Sequence, residues 1–199
     1  MRRWLIRGYW PIYGIAALSF VGWLFFSSAD NAALHFVFAS QWSPQYFALT
    51  PFMHASFIHV LFNTLALHFI GGQLLLPILK TRRFVQLFVL AALAGNVANS
   101  LLSASPAVGI SAAVLGMLAC ALYSYGRVPV KLLLIHDLLR LRPFPLWTIA
   151  TFLVALDIVG IVFGWGFFAH WAHLAGFAVG GAFGWVIFRK PQKRRYTVH

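Results

Sequence analysis

The sequence predicts an all-α membrane protein: six transmembrane helices in one bundle, with a first outer loop partly embedded in the membrane. Three observations carry that expectation. Of 199 residues, 61% are hydrophobic and 9% charged, against about 45–50% and about 25% in soluble domains. The apolar residues run in stretches close to the ~20 residues needed to cross hydrocarbon. The 15 lysines and arginines gather in four clusters between those stretches: Arg2, Arg3 and Arg7; Lys80, Arg82 and Arg83; Arg127, Lys131, Arg140 and Arg142; and Arg189 through Arg195. Such sorting is the positive-inside pattern.

The first expected span is residues 10–26. It follows a short basic segment, residues 1–9, and is read as a retained helix rather than a cleaved signal, since no small-residue cleavage site follows it. Residues 27–50 hold Asp30, Trp42 and Pro44 but no lysine or arginine, which places them outside as the embedded loop. The second span covers 57–76 and ends near Pro77, and the third covers 84–102. Residues 103–108 form a tight outer loop with Pro106. The fourth span is 111–125, with Gly109 just before it. Basic and apolar residues interleave over 127–142, as in an interfacial helix. The fifth span is 144–163, Gly164-Trp165-Gly166 makes an outer turn, the sixth is 169–188, and 189–199 is an inner basic tail. Six spans put all 15 basic residues and both termini on the cytoplasmic side of a single membrane domain, residues 1–199. Its compactness suggests a bacterial inner membrane.

The net charge of +12 does not indicate nucleic acid. The charges are dispersed among apolar segments, and no basic face or base-reading module is present. Cys120 is the single cysteine, which excludes an intrachain disulfide and a cysteine-based zinc site.

Residues 54–72 are apolar enough for a membrane yet carry His54, His59, His68 and Asn63. Polar groups in hydrocarbon need partners or a function. His59 and Asn63 are four apart, one turn above the other on one helical face. The topology puts them in the outer half of the second span. It also puts Ser111 at the outer N-terminus of the fourth and His173 one turn into the sixth. All three sites share one depth, and hence one polar cavity.

Serine, histidine and spare donors are the parts of acyl transfer. A serine hydroxyl is a weak nucleophile until a base takes its proton. His173 can be that base and then protonate the leaving amine. Asn63, His59 and the Ser111 backbone N–H can stabilise the oxyanion, the last with a favourable helix dipole. Gly109 lets backbone and substrate approach closely. Of the acids, Asp137 lies on the wrong side and Asp30 ends the first span. Asp157, within the fifth span, is the one conceivable orienter, but it has no motif around it, and a Ser-His dyad is favoured over a triad.

Taken singly, each residue has a plainer reading: Ser111 bonded to its own helix, His173 packed, His59 and Asn63 as interhelical contacts. Their joint placement favours chemistry. His68 lies in the inner half, away from the site, and His35 and His136 fall in loops. His170 and His173, three apart, could share a metal, but no acidic or cysteine ligand is expected nearby, and no metal or cofactor is expected. Gly176, Gly180 and Gly184 form G-x-x-x-G spacings, which bring the sixth span close to a neighbour, the fourth by preference. Trp165, Phe167 and Phe168 suit an interfacial belt or a cap over the site.

These motifs resemble the rhomboid family of intramembrane serine proteases. His59-Val-Leu-Phe-Asn63 resembles the family's H-x-x-x-N, Gly109-Ile-Ser111 its G-x-S, and Ala172-His173-Leu-Ala-Gly176 its A-H-x-x-G, in that order and on the matching spans. His54 is similar to a histidine often found before the first motif. The resemblance covers roughly residues 42–184. It implies a six-span rhomboid-like bundle with Ser111 as nucleophile, His173 as general base, and His59 and Asn63 in the oxyanion hole. Substrates would be membrane-anchored proteins, cut near the outer end of a transmembrane helix, without a cofactor. Four features depart from the pattern. Ala112 stands for the glycine after the serine, Leu115 for an aromatic that packs on the catalytic histidine, Gln73 for an acid after Gly71-Gly72, and Trp42-Ser43 for a Trp-Arg pair in the first outer loop. A non-catalytic rhomboid-like binder of membrane helices is the alternative, and a small transporter or haem-binding protein a more distant one.

Overall fold

The computed structural model describes residues 8–28, 31–130, 143–166 and 168–189. The expectations for the basic residues 1–7, Asp30, the inner segment 131–142 with His136 and Asp137, Phe167, and the tail 190–199 lie outside the described residues. In chain order the helices are α1 (Trp10–Ser28), α2 (Asn31–Phe38), α3 (Pro44–Leu49), α4 (Phe57–Ala66), a π-helical segment (Leu67–Leu75), α5 (Leu76–Leu102), α6 (Ser111–Tyr125), α7 (Leu146–Val162) and α8 (His170–Phe188). Two-residue strands, β1 (Pro129–Val130) and β2 (Phe144–Pro145), pair antiparallel.

Three helical runs are long and apolar enough to cross a membrane: Trp10–Ser28, Phe57–Leu102 and His170–Phe188. Ser111–Tyr125 and Leu146–Val162 are shorter apolar helices. Large apolar side chains such as Val21, Phe62, Leu101 and Phe152 point outward, each at least 60% exposed. The helices keep their backbone bonds internal, as hydrocarbon demands. The protein is an integral membrane protein.

The Phe57–Leu102 run contains both the second and third expected spans. It does not stop at Pro77. Proline is tolerated in a first helical turn, where its missing N–H is not required, and Pro77 occupies that position in α5. Before it the backbone is π-helical, and the Leu76 N–H bonds to the Gly71 carbonyl. The helix breaks instead at Lys80, at φ 62° and ψ 164°, next to Arg82 and Arg83.

Helix α6 is the centre of the bundle. Every residue from Ala112 to Ala121 is buried. Around its C-terminal half Leu67, Leu75, Phe84, Leu87, Met117 and Leu118 form the core. At its N-terminal end the apolar cluster is small: Ala107, Ala112 and Ala172. As the glycine spacing predicted, α8 lies directly on α6. A Cβ on Gly176 would collide with the Ala112 carbonyl, and one on Gly180 with the Gly116 carbonyl. Fifteen residues rise only about 22 Å, short of the ~30 Å hydrocarbon thickness.

The expected outer loop contains α2 and α3, so His35 is helical rather than in a loop. This segment fixes the approach to α6. Ser43 caps α3 by accepting from the Tyr46 N–H, with Pro44 in the first turn. The buried Tyr46 hydroxyl accepts from the Ala107 N–H at 2.8 Å. Its pKa is raised, chiefly by burial, so it stays a neutral hydroxyl. The Thr50 carbonyl accepts from the Gly109 N–H at 2.9 Å, and Asn96 donates to the Thr50 hydroxyl at 3.2 Å. Asn99 donates to the Ser105 carbonyl at 2.7 Å and Gln41 to the Ala104 carbonyl at 3.0 Å. At the other end of α6, the Trp147 N–H donates to the Gly126 carbonyl, and the β1–β2 pair ties the start of α7 to the end of α6.

Candidate active site

Gly109 brings the chain into α6. Its φ is +102°, which side-chain-bearing residues rarely adopt. A Cβ there would stand 3.0 Å from the His59 ring and 3.3 Å from His54 Nε2. The space its missing side chain frees is thus filled by two imidazoles. Two residues on, Ser111 is the first residue of α6. No side chain caps this helix end, so its first N–H groups keep their donor capacity for an anion.

Helix α8 supplies the opposing ring. His173 lies in its first turn, and the Gly176–Ala112 contact draws that turn against Ser111. His173 Nε2 is 2.8 Å from Ser111 Oγ. On the other side of the ring, His173 Nδ1 is 2.9 Å from Asp157 Oδ1. Asp157 is 4% exposed and comes from α7. A carboxylate oxygen only accepts, so the hydrogen is on Nδ1 and the Nε2 lone pair faces the serine hydroxyl. The three groups form a continuous line: carboxylate, imidazole, hydroxyl.

The preference for a dyad left out this carboxylate. Asp157 has no motif around it, and its link to His173 spans sixteen residues and a turn, so only packing reveals it. The usable signal was a lone acid in an apolar span, a costly placement without a partner. His170 was also set aside, and it joins the same group: its Nδ1 is 2.7 Å from the same Asp157 oxygen. An acidic ligand therefore does adjoin the two histidines. The donor set Asp157, His170 and His173 is of a kind that binds metal. Its spacing is that of hydrogen bonds, however, with the oxygen 2.7 and 2.9 Å from the two nitrogens, whereas tetrahedral zinc ligands at about 2.0–2.1 Å from the ion stand roughly 3.3 Å apart.

Ser111, His173 and His59 line one cavity of about 300 Å³, with Ser103, Trp165 and Phe168 at its sides. Asn63 is buried one turn below His59, and its Nδ2 donates to the His59 carbonyl at 3.1 Å. One amide hydrogen remains for another acceptor. It is not among the described lining residues. The His59 N–H donates to Ser56, which caps α4. His54 is fully buried, its Nδ1–H donates to the Phe52 carbonyl at 3.0 Å, and its ring meets His59 edge to face. Burial, and after it the neighbouring His59, holds the His54 pKa down at about 4 despite the Phe52 carbonyl. His68 contacts Gln73 and Tyr9, away from this cavity.

The rhomboid domain matches residues 39–190 of the chain. The chain belongs to the rhomboid family. Rhomboid protein 1, mitochondrial, of Saccharomyces cerevisiae is 30% identical over 153 residues, 72% of this chain and 42% of that protein. Presenilin-associated rhomboid-like protein A, mitochondrial, of Danio rerio is 29% identical over 137 residues, 64% of this chain and 33% of that protein. The aligned parts thus cover less than half the length of these relatives. The departures of this rhomboid from the family pattern have local counterparts. Leu115 is buried in place of the aromatic, and the His173 ring is held by Asp157. The Ala112 methyl meets Gly95, where a Cβ would stand 2.5 Å from it.

Proposed function

We propose that this rhomboid is an intramembrane serine endopeptidase that cleaves membrane-anchored proteins near the outer end of a transmembrane helix. What supports the reading is one observation: a buried carboxylate, an imidazole and a helix-terminal serine hydroxyl lie in line at 2.9 and 2.8 Å at the edge of a cavity. His173 Nε2 takes the Ser111 proton as Oγ attacks the scissile carbonyl. Charge moves to the carbonyl oxygen, where the Ser111 N–H, His59 and Asn63 serve as donors. One such donor is worth roughly 2.7–4 kcal/mol in a well-studied protease. His173 then gives its proton to the leaving nitrogen, and water releases the acyl group by the same steps reversed. Asp157 stabilises the imidazolium formed between them. The chemistry requires no metal or cofactor.

The six-span arrangement, one membrane domain over residues 1–199 with both termini on the basic side, belongs to this proposal. On it the Lys80 break separates the second and third spans, and Ser111, His59 and His173 share the outer half. As to the membrane, the bacterial plasma membrane expected from the sequence and a mitochondrial membrane, after the organelle in both relatives' names, are separated by fractionating a tagged chain. The activity is tested with a fluorophosphonate, which bonds covalently to an activated serine, on protein purified in detergent. Labelling lost in both Ser111→Ala and His173→Ala supports the dyad at its centre. A folded wild-type chain that takes no label refutes it and leaves a helix-binding role.

A further inference from the structure

Two imidazoles share one oxygen. His170 and His173 both place Nδ1 within 2.9 Å of Asp157 Oδ1, and His170 is the nearer at 2.7 Å. His170 is 5% exposed, and the site is shaped to admit it. A Cβ on Gly160 would collide with the His170 ring. Gly160 lies three residues after Asp157 on α7, so one face of that helix offers a carboxylate and, a turn on, a gap. One face of α8 offers His170 and His173 at the same interval. The Phe168 ring closes on His170 edge to face. A side chain held only by packing would not need a buried hydrogen bond to the carboxylate that orients the base.

We propose that His170 is a positioning residue of the proteolytic site, donating from Nδ1 to the Asp157 oxygen that His173 also uses, and so fixing the carboxylate against which the His173 ring is aligned. The inference rests on the reading of Ser111 and His173 as a proteolytic pair. An Asp157 oxygen with a second donor is held between two rings. Removing His170 leaves that oxygen tied to His173 alone and freer to turn, so the His173 ring is aligned less firmly on Ser111. The other groups facing His173 are the Ser111 hydroxyl on α6 and His59 on α4. On α5 the nearby polar residues are the neutral Asn96 and Asn99, and its charges, Lys80, Arg82 and Arg83, lie at the opposite end, about 20 Å away.

The test is the rate of fluorophosphonate labelling of the purified full chain between pH 5 and pH 9. In His170→Leu the plateau rate is expected to fall about tenfold. In His170→Gln, which keeps a donor, it is expected to return toward wild type. A leucine variant that labels as fast as wild type, or a glutamine variant no better than leucine, overturns the inference while wild-type labelling upholds the protease. No Ser111-dependent labelling of the wild type removes the protease reading and this inference together. Should the leucine variant not fold, nitrogen-15 NMR of histidine-labelled wild type decides. His170 carrying its hydrogen on Nδ1 at neutral pH supports the role, and on Nε2 it refutes it.

Discussion

At Asp157, one atom's charge decides which nitrogen of His173 carries a hydrogen. An asparagine there keeps the shape but can donate its N–H to Nδ1, which moves the ring hydrogen to Nε2 and takes the lone pair away from Ser111. Asp157→Asn is therefore expected to lower the rate of Ser111 labelling by about 10²-fold or more while the protein stays folded. Circular dichroism alongside the labelling assay checks both halves. A rate within about threefold of wild type would return the site to two working residues. Ser111, His173, His59 and Asn63 stood in sequence motifs and could be read one by one as candidates. Asp157 and His170 could not, because their meaning comes from a shared oxygen between two helices.

Helices α5, α6 and α8 meet where side chains are smallest. Ala112 on α6 faces Gly95 on α5 and Gly176 on α8, so the Ala112 methyl has room only because Gly95 has none. Gly95→Ala would set two Cβ atoms 2.5 Å apart. Overpacking of this kind costs typically about 1–3 kcal/mol. Thermal unfolding in detergent is expected to show a loss of that size in Gly95→Ala, and less in Gly95→Ala/Ala112→Gly than the two single changes would sum to. Coupling of at least about 0.5 kcal/mol in that cycle would establish the contact, and simple additivity would deny it. The glycine spacing of α8 was readable because a repeat of four marks one face. The run through Pro77 and the break at Lys80 were not. A proline stops a helix in its interior but suits a first turn, and the sequence does not say which turn it occupies.

Across the whole molecule, acid tests the connection between α3 and α4. His54 is buried neutral, with a pKa held near 4, whereas the unfolded chain takes up its proton near 6.5. Between those values the unfolded state binds more protons, so the stability present above pH 6.5 is lost as the pH falls toward 4. The melting midpoint is expected to drop over that window, and His54→Gln, which cannot titrate, should drop less steeply. Equal slopes would mean that other groups carry the acid sensitivity. The helical membrane plan was legible because hydrocarbon imposes it: long apolar runs whose backbone bonds stay internal. How far each helix continues was set by packing that composition does not record. The Gly95–Ala112 contact also bears on history. A lineage exchanging glycine and alanine at these two sites cannot pass freely through every combination, since the chain with both methyls is the crowded one. If position 112 began as glycine, its methyl could be gained only while position 95 had none, and the fold itself dictated the order in which the substitutions were accepted.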